Sequence, residues 1–328
     1  MELIFKKLAQ ISASLLFVIL AATTIVLYLS AKPAIQEFGA GFLFESRWAV
    51  EERIEQSSGS SPQDMANDSV SSESSFVEDE GFIDDDEDFV TDDDAEGDSN
   101  DSQVVYGALV PIVGTIFSTM IAMIFSIPIA MGIAVFLSEI AGGVFSKIIG
   151  IAIELLASIP SIIYGMWGLF YFGPFIADIF GGKTVSLLVA GLVLGVMVIP
   201  FMAALSRDAI NTVPDMLKES AYAMGATKLE VIKDIVFPYA KAGVIGSIIL
   251  SFGRALGETM AVAFVIGGVY SFAGKVTDPT NSIPVVLANS FAESSGLSLS
   301  VLFYLALILF VMSFLVIIVA KFYFLRRK

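Results

Sequence analysis

Six long apolar stretches constrain this chain more than any other feature, at about 8–30, 106–137, 148–172, 184–205, 243–271 and 299–322. Each is long enough for a helix that crosses the hydrocarbon core of a bilayer, which takes roughly 20 residues. With 56% hydrophobic and 16% charged residues among 328, the chain has more apolar surface than a soluble interior can hide. The expected fold class is therefore all-α: a polytopic membrane protein with six transmembrane helices and both termini on one side. The first stretch follows Lys6 and Lys7 but exceeds the roughly 7–15 residues of a signal-peptide core. It reads as a retained anchor over residues 1–31.

Basic residues orient the spans. Lys6, Lys7, Lys147, Arg207, Lys218, Lys228, Lys233, Lys241, Arg326, Arg327 and Lys328 fall on one side, while Arg47, Arg53, Lys183 and Lys275 run against the pattern. The basic side is expected to be cytoplasmic, which places both termini there. The formal charge of −16 has one source, because residues 51–101 hold 20 of the 34 acidic residues and a single base, Arg53. Without them the chain carries a net +3. An extracytoplasmic segment, 32–105, is thus expected to contain a disordered acidic insertion at about 56–103, since such a composition cannot offset the entropy of folding. Its acidic runs lack the spacing of an EF-hand loop, so a solvated linker is the expectation and not a calcium site.

The chain has no Cys and no His. Thiolate metal sites, thiol nucleophiles and imidazole bases are excluded, and neither catalytic residues nor a metal or other cofactor is expected. A Walker A loop is missing too. The nearest look-alike, Gly182-Lys183-Thr184, has Ala177 where the first glycine belongs and follows no strand. Energy for any transport must come from another subunit.

Residues 206–240 are too polar to span and too patterned for a linker. Val213-Pro214-Asp215 starts a helix on which Met216, Leu217, Ala221, Met224 and Ala226 recur at roughly helical spacing. Gly225 interrupts it, a second helix carries Leu229, Val231, Ile232, Ile235 and Val236, and Pro238 is expected to stop that helix. The expected product is a helix-turn-helix on the cytoplasmic face that offers apolar side chains to a partner groove. In span five, Arg254 and Glu258 stand four apart between apolar stretches, where one helix would put them on one face as a pair. A charge there is costly enough to imply a bundle interior or a water-lined path. The small residues Gly253, Ala255, Gly257 and Ala261 are expected to let helices approach around that pair.

Glu219, Ala221, Gly225, Ile235 and Pro238 reproduce the spacing of the EAA signature, E-x-A, three residues, G, nine residues, I-x-x-P. In this the chain resembles the ABC importer permeases, where the motif forms the helix that docks on the ATPase. "FGRALGETMAV" (252–262), "ELLASIPSIIYGMWGLF" (154–170) and "ESAYAMGATKLEVIKDIVFP" (219–238) are similar to the phosphate-specific transport permeases of the PstC type. The paired PstA type carries a related "RALGET", so the "MAV" continuation and the long segment after span one favour PstC. The resemblance implies a type I (MetI-like) permease core over 106–322 with a basic tail at 323–328. It also implies a homologous second permease, two ATP-binding subunits, an extracytoplasmic phosphate-binding protein and membrane lipid as partners, with no nucleic acid. By the same resemblance Arg254 and Glu258 lie on the solute path. The acidic insertion departs from the family pattern. Two other readings stay open: a permease for another oxyanion or nutrient such as phosphonate, molybdate or sulfate, and a membrane scaffold or sensor subunit.

Three weaker features remain. Ser158, Pro160, Ser161 and Tyr164 either line a path or mark a packing kink. Glu154 either pairs with Lys147 or faces a cavity, and the apolar run Ile283–Leu287 either re-enters as a gate or meets the binding protein.

Overall fold

The computed structural model describes residues 2–53 and 102–325. The chain forms two units, Met1–Trp48 with Tyr106–Lys328, and Ala49–Val105. The smaller is built on a two-stranded sheet of β1 (Trp48–Arg53) and β2 (Ser102–Tyr106). Most of the expected acidic tether lies outside the described residues, and its last two positions belong to β2.

The larger unit is helical, and among the described residues six helical runs are long and apolar enough to cross a membrane. The first, α1 (Glu2–Phe38), continues as a 3-10 turn to Leu43 and runs straight through Pro33, well beyond the anchor expected from hydropathy. Its C-terminal part packs into the larger unit. Ala31, Ala34 and Phe42 are buried, Phe42 stacks on Tyr304 at 4.8 Å, and the Tyr304 hydroxyl donates to the Gly39 carbonyl at 3.2 Å. Large apolar side chains from Phe5 to Leu20 stay exposed, as a lipid-facing surface requires.

The second span is α2 (Leu109–Val135), ending in a π-helical turn, Phe136–Ile140. It lies along α6 (Leu187–Asn211), the fourth span. Small residues permit the approach, since a side chain at Gly191 would meet Ile121 at 2.6 Å and one at Gly195 would meet the Ala122 carbonyl at 3.1 Å. With no hydrophobic drive between helices in lipid, such close packing is the main force available.

Span three differs from the expected 148–172. Helix α3 (Gly143–Ala157) ends at Ser158, and α4 (Ser161–Trp167) restarts after Pro160, continuing through a π turn into α5 (Gly173–Phe180). Pro160 cannot donate and biases the residue before it away from helical geometry. The Tyr164 hydroxyl bridges the break by donating to the Leu156 carbonyl at 3.0 Å. The kink reading holds, and the spanning run is Ser161–Phe180.

After α6 come α7 (Asp215–Ala223) and α8 (Lys228–Val231). A π turn, Ile232–Val236, then leads into α9 (Phe237–Leu256). Span five is thus the run Lys228–Leu256 and not the expected 243–271. Beyond it lie the short α10 (Met260–Val265), α11 (Ile283–Ser290) and α12 (Gly296–Leu325). The run from Ile283 folds as α11, whose first four residues are buried. The Ile283 amide donates to Thr115 Oγ1 of α2 at 2.9 Å, which fixes α11 in the bundle.

Candidate functional site

Two places carry the sequence-predicted residues, and the loop before α9 is the better defined. Helix α7 ends at Met224 with Gly225 in the left-handed region at φ +90°. The Gly225 amide bonds back to the Tyr222 carbonyl at 3.0 Å and the Ala226 amide to the Ala221 carbonyl at 3.1 Å. That is a Schellman cap, and it explains why the motif needs glycine there. Thr227 then opens α8 with a capping box, its amide donating to Glu230 Oε2 at 2.7 Å.

Pro238 does not stop the second helix. It occupies the first turn of α9, where its missing donor is tolerated, and the π turn ahead of it closes with the Phe237 amide donating to the Ile232 carbonyl. The helix therefore passes through the motif proline into the span.

Underneath, Val213, Val231, Val236, Ala240 and Val244 form a small core with Ala134 and Ile210, and Ala221 and Ala226 pack on it. On the other face, Met216 (77%), Met224 (89%) and Leu229 (74%) are among the most exposed apolar residues of the chain. Of the motif residues, Ala221 and Ile235 are half-buried, whereas Glu219, Gly225 and Pro238 are exposed. The loop is thus pinned from below and offers flexible, adaptable methionines outward, as a docking surface should.

The second place is the end of span five. Helix α9 terminates at Leu256, so Arg254 and Glu258 do not share a helix and form no ion pair, contrary to the expected i,i+4 contact. A backbone break at Gly257–Thr259 turns the two side chains to different tasks. Arg254, in the last turn of α9, sets its guanidinium carbon 5.4 Å from the ring centre of Phe201 on α6, a cation–π contact. The glutamate faces the next helix instead, and Glu258 Oε1 accepts from the Ala261 amide at 3.3 Å at the start of α10. Ala255 and Ala261 are buried. Close approach at Ala261 comes from Gly165 of α4, where an added Cβ would stand 3.0 Å from the Ala261 backbone. Gly253 and Gly257 meet no helix closely enough to need their lack of a side chain.

Sequence reasoning missed two ion pairs. Glu154 pairs not with Lys147 but with Arg207 at the foot of α6, 3.9 Å away, and Gly150 leaves the room in which that guanidinium crosses. Lys218 of α7 donates to Glu139 Oε1 in the π turn after α2 at 2.6 Å. A lone acid at the end of a long apolar stretch was the available signal for Glu139.

Six long apolar runs, helix breaks beside two of them and a pinned loop with an exposed apolar face give the geometry of a membrane-embedded subunit. The chain belongs to the family described as binding-protein-dependent transport system inner membrane component, whose model matches residues 104–324. It is 36% identical to the phosphate transport system permease protein PstC of Haemophilus influenzae, over 98% of this chain and 92% of that one. PstC of Pasteurella multocida is 46% identical over 68% of this chain and 76% of its own length. For PstC of Mesorhizobium japonicum the figures are 40%, 67% and 74%. Among solved structures, a chain of the inward-facing MetNI methionine ABC transporter superposes with a TM-score of 0.52 at 19% identity, covering 64% of this chain and 91% of that one. A bacterial ABC transporter that imports the acidic polysaccharide alginate gives 0.52 at 13%, covering 66% and 79%. The fold is that of ABC importer permeases.

Proposed function

We propose that this chain is the permease subunit that passes inorganic phosphate across the cytoplasmic membrane, driven by ATP hydrolysed in a separate subunit. Relatives named for phosphate transport over nearly the whole chain support the solute class. The observation that carries the reading is Arg254, whose guanidinium faces an aromatic ring at a break in a spanning helix and makes no ion pair with Glu258. A planar fork of donors with permanent charge matches phosphate oxygens, and a ring holds it without occupying those donors. Glu258, committed to α10, maintains the break and adds negative charge to the neighbourhood. Phosphate then binds weakly enough to leave, which passage requires.

The remaining parts follow the same reading. A second, homologous permease completes the path, an external phosphate-binding protein delivers the solute, and two ATPase subunits receive the face formed by Met216, Met224 and Leu229. Their closure moves the EAA helix and switches the bundle between outward and inward opening. Both termini lie in the cytoplasm, on the side of the basic residues. The chain itself holds no ATPase site.

The test is Arg254→Gln, with phosphate uptake and complex assembly measured separately. Lost uptake in an assembled complex is expected. Normal uptake contradicts the pathway role, and failed assembly assigns Arg254 to packing.

A further inference from the structure

Helix α7 rests on the rest of the protein through few contacts. None of its nine residues is fully buried, and its apolar support comes through Ala221. Lys218, three positions earlier, lies on the same helix face. Its ammonium donates to Glu139 Oε1 at 2.6 Å, and the two side chains are 15% and 6% exposed. Asp215 is also within 3.8 Å of that ammonium, but it is 87% exposed and its contact is screened by solvent. The buried pair differs in kind. Each charge has given up water for the other, so the contact is directional and resists separation, whereas apolar surfaces can slide.

Glu139 belongs to the π turn Phe136–Ile140 that ends span two. The same turn is pinned from α3, where Ser146 Oγ donates to the Leu137 carbonyl at 2.6 Å. Span two in turn lies tightly along α6 at Gly191 and Gly195. A push on α7 therefore has one stiff polar route into the paired spans α2 and α6, beside the softer apolar one beneath Ala221. From this geometry we infer that the Lys218–Glu139 pair is a strut that passes displacement of the docking helix into span two, a positioning contact for transport. The inference rests on reading α7 as the ATPase dock and is independent of the solute.

The experiment uses the complete transporter, this chain with its partner permease, ATPase and binding protein, in proteoliposomes. ATP hydrolysed and phosphate accumulated are measured in the same vesicles for Glu139→Gln, Lys218→Met and the exchange Glu139→Lys with Lys218→Glu. The single variants are expected to keep hydrolysing ATP while phosphate moved per ATP drops about tenfold, a typical size for coupling between sites. The exchange is expected to restore most of that ratio. Single variants at the wild-type ratio overturn the inference, and so does an exchange that assembles without regaining it. Complexes that fail to assemble in all three forms also overturn it, because the pair then serves folding alone. Should the wild-type complex hydrolyse ATP without accumulating phosphate, the phosphate reading has failed. The strut is then read from stimulation of hydrolysis by the binding protein, which Glu139→Gln is expected to abolish and which, if retained, overturns the strut.

Discussion

A guanidinium set against an aromatic ring, and not locked to a carboxylate, keeps its donors available to an incoming anion. Among the described residues this is the state of Arg254, which lies against Phe201. Arg254→Lys keeps the charge and loses the fork, so phosphate uptake is expected to fall about tenfold, the size of one lost charge-assisted hydrogen bond. Uptake assays on assembled complexes check this, and unchanged uptake would show that charge alone suffices. Gly225 is the second decisive residue, because a side chain at φ +90° is strained. Gly225→Ala is expected to weaken ATPase binding by about 1 kcal/mol, the low end of what left-handed backbone costs an L-residue with a Cβ, readable as a several-fold rise in the dissociation constant. The residue types were legible in the sequence at both positions. The Arg254 partner was not, because Phe201 lies on another helix, and neither was the Lys218–Glu139 contact, which joins residues 79 apart.

At the level of elements, hydropathy located the spans but not their breaks. The apolar pattern runs on across Pro160 and across Gly257, so spans three and five were displaced along the chain although each was found. Backbone donors decide such breaks, and hydropathy does not register them. At Pro238 the error ran the other way, since the missing donor was read as a helix stop where a π turn lets the helix continue. Pro238→Ala supplies the missing donor and is expected to let the π turn relax to α-helical register. Everything before it would then rotate by about 100°, one residue of helix. The exposed face of α8 would turn with it, and binding of the ATPase subunit is expected to fall while the amount of membrane-inserted chain is unchanged. Unaltered binding would show that the π turn does not set the docking geometry. Glu258→Ala tests the other break. Loss of the contact to the α10 amide is expected to cost about 1 kcal/mol, as loss of a helix cap does. It would appear as a lower melting temperature of the purified complex, and an unchanged one would remove the capping role.

Across the molecule, the chemistry is divided between two ends of one helical run. Span five, the run Lys228–Leu256, begins at the proposed docking loop and carries Arg254 in its last turn, so one helical run joins the site proposed to receive force to the site proposed to meet solute. The fold class and the number of spans were readable from pattern, because lipid allows few ways to satisfy a backbone. Solute identity is of a different kind, resting on one side chain and on relatives. Reconstituted vesicles test it most directly, with the full complex, loaded binding protein and ATP on the ATPase side. Radiolabelled phosphate is followed against excess sulfate, molybdate or phosphonate. ATP-dependent phosphate accumulation that these anions do not compete away is the predicted result, and ATP-driven accumulation of another oxyanion without phosphate would contradict it.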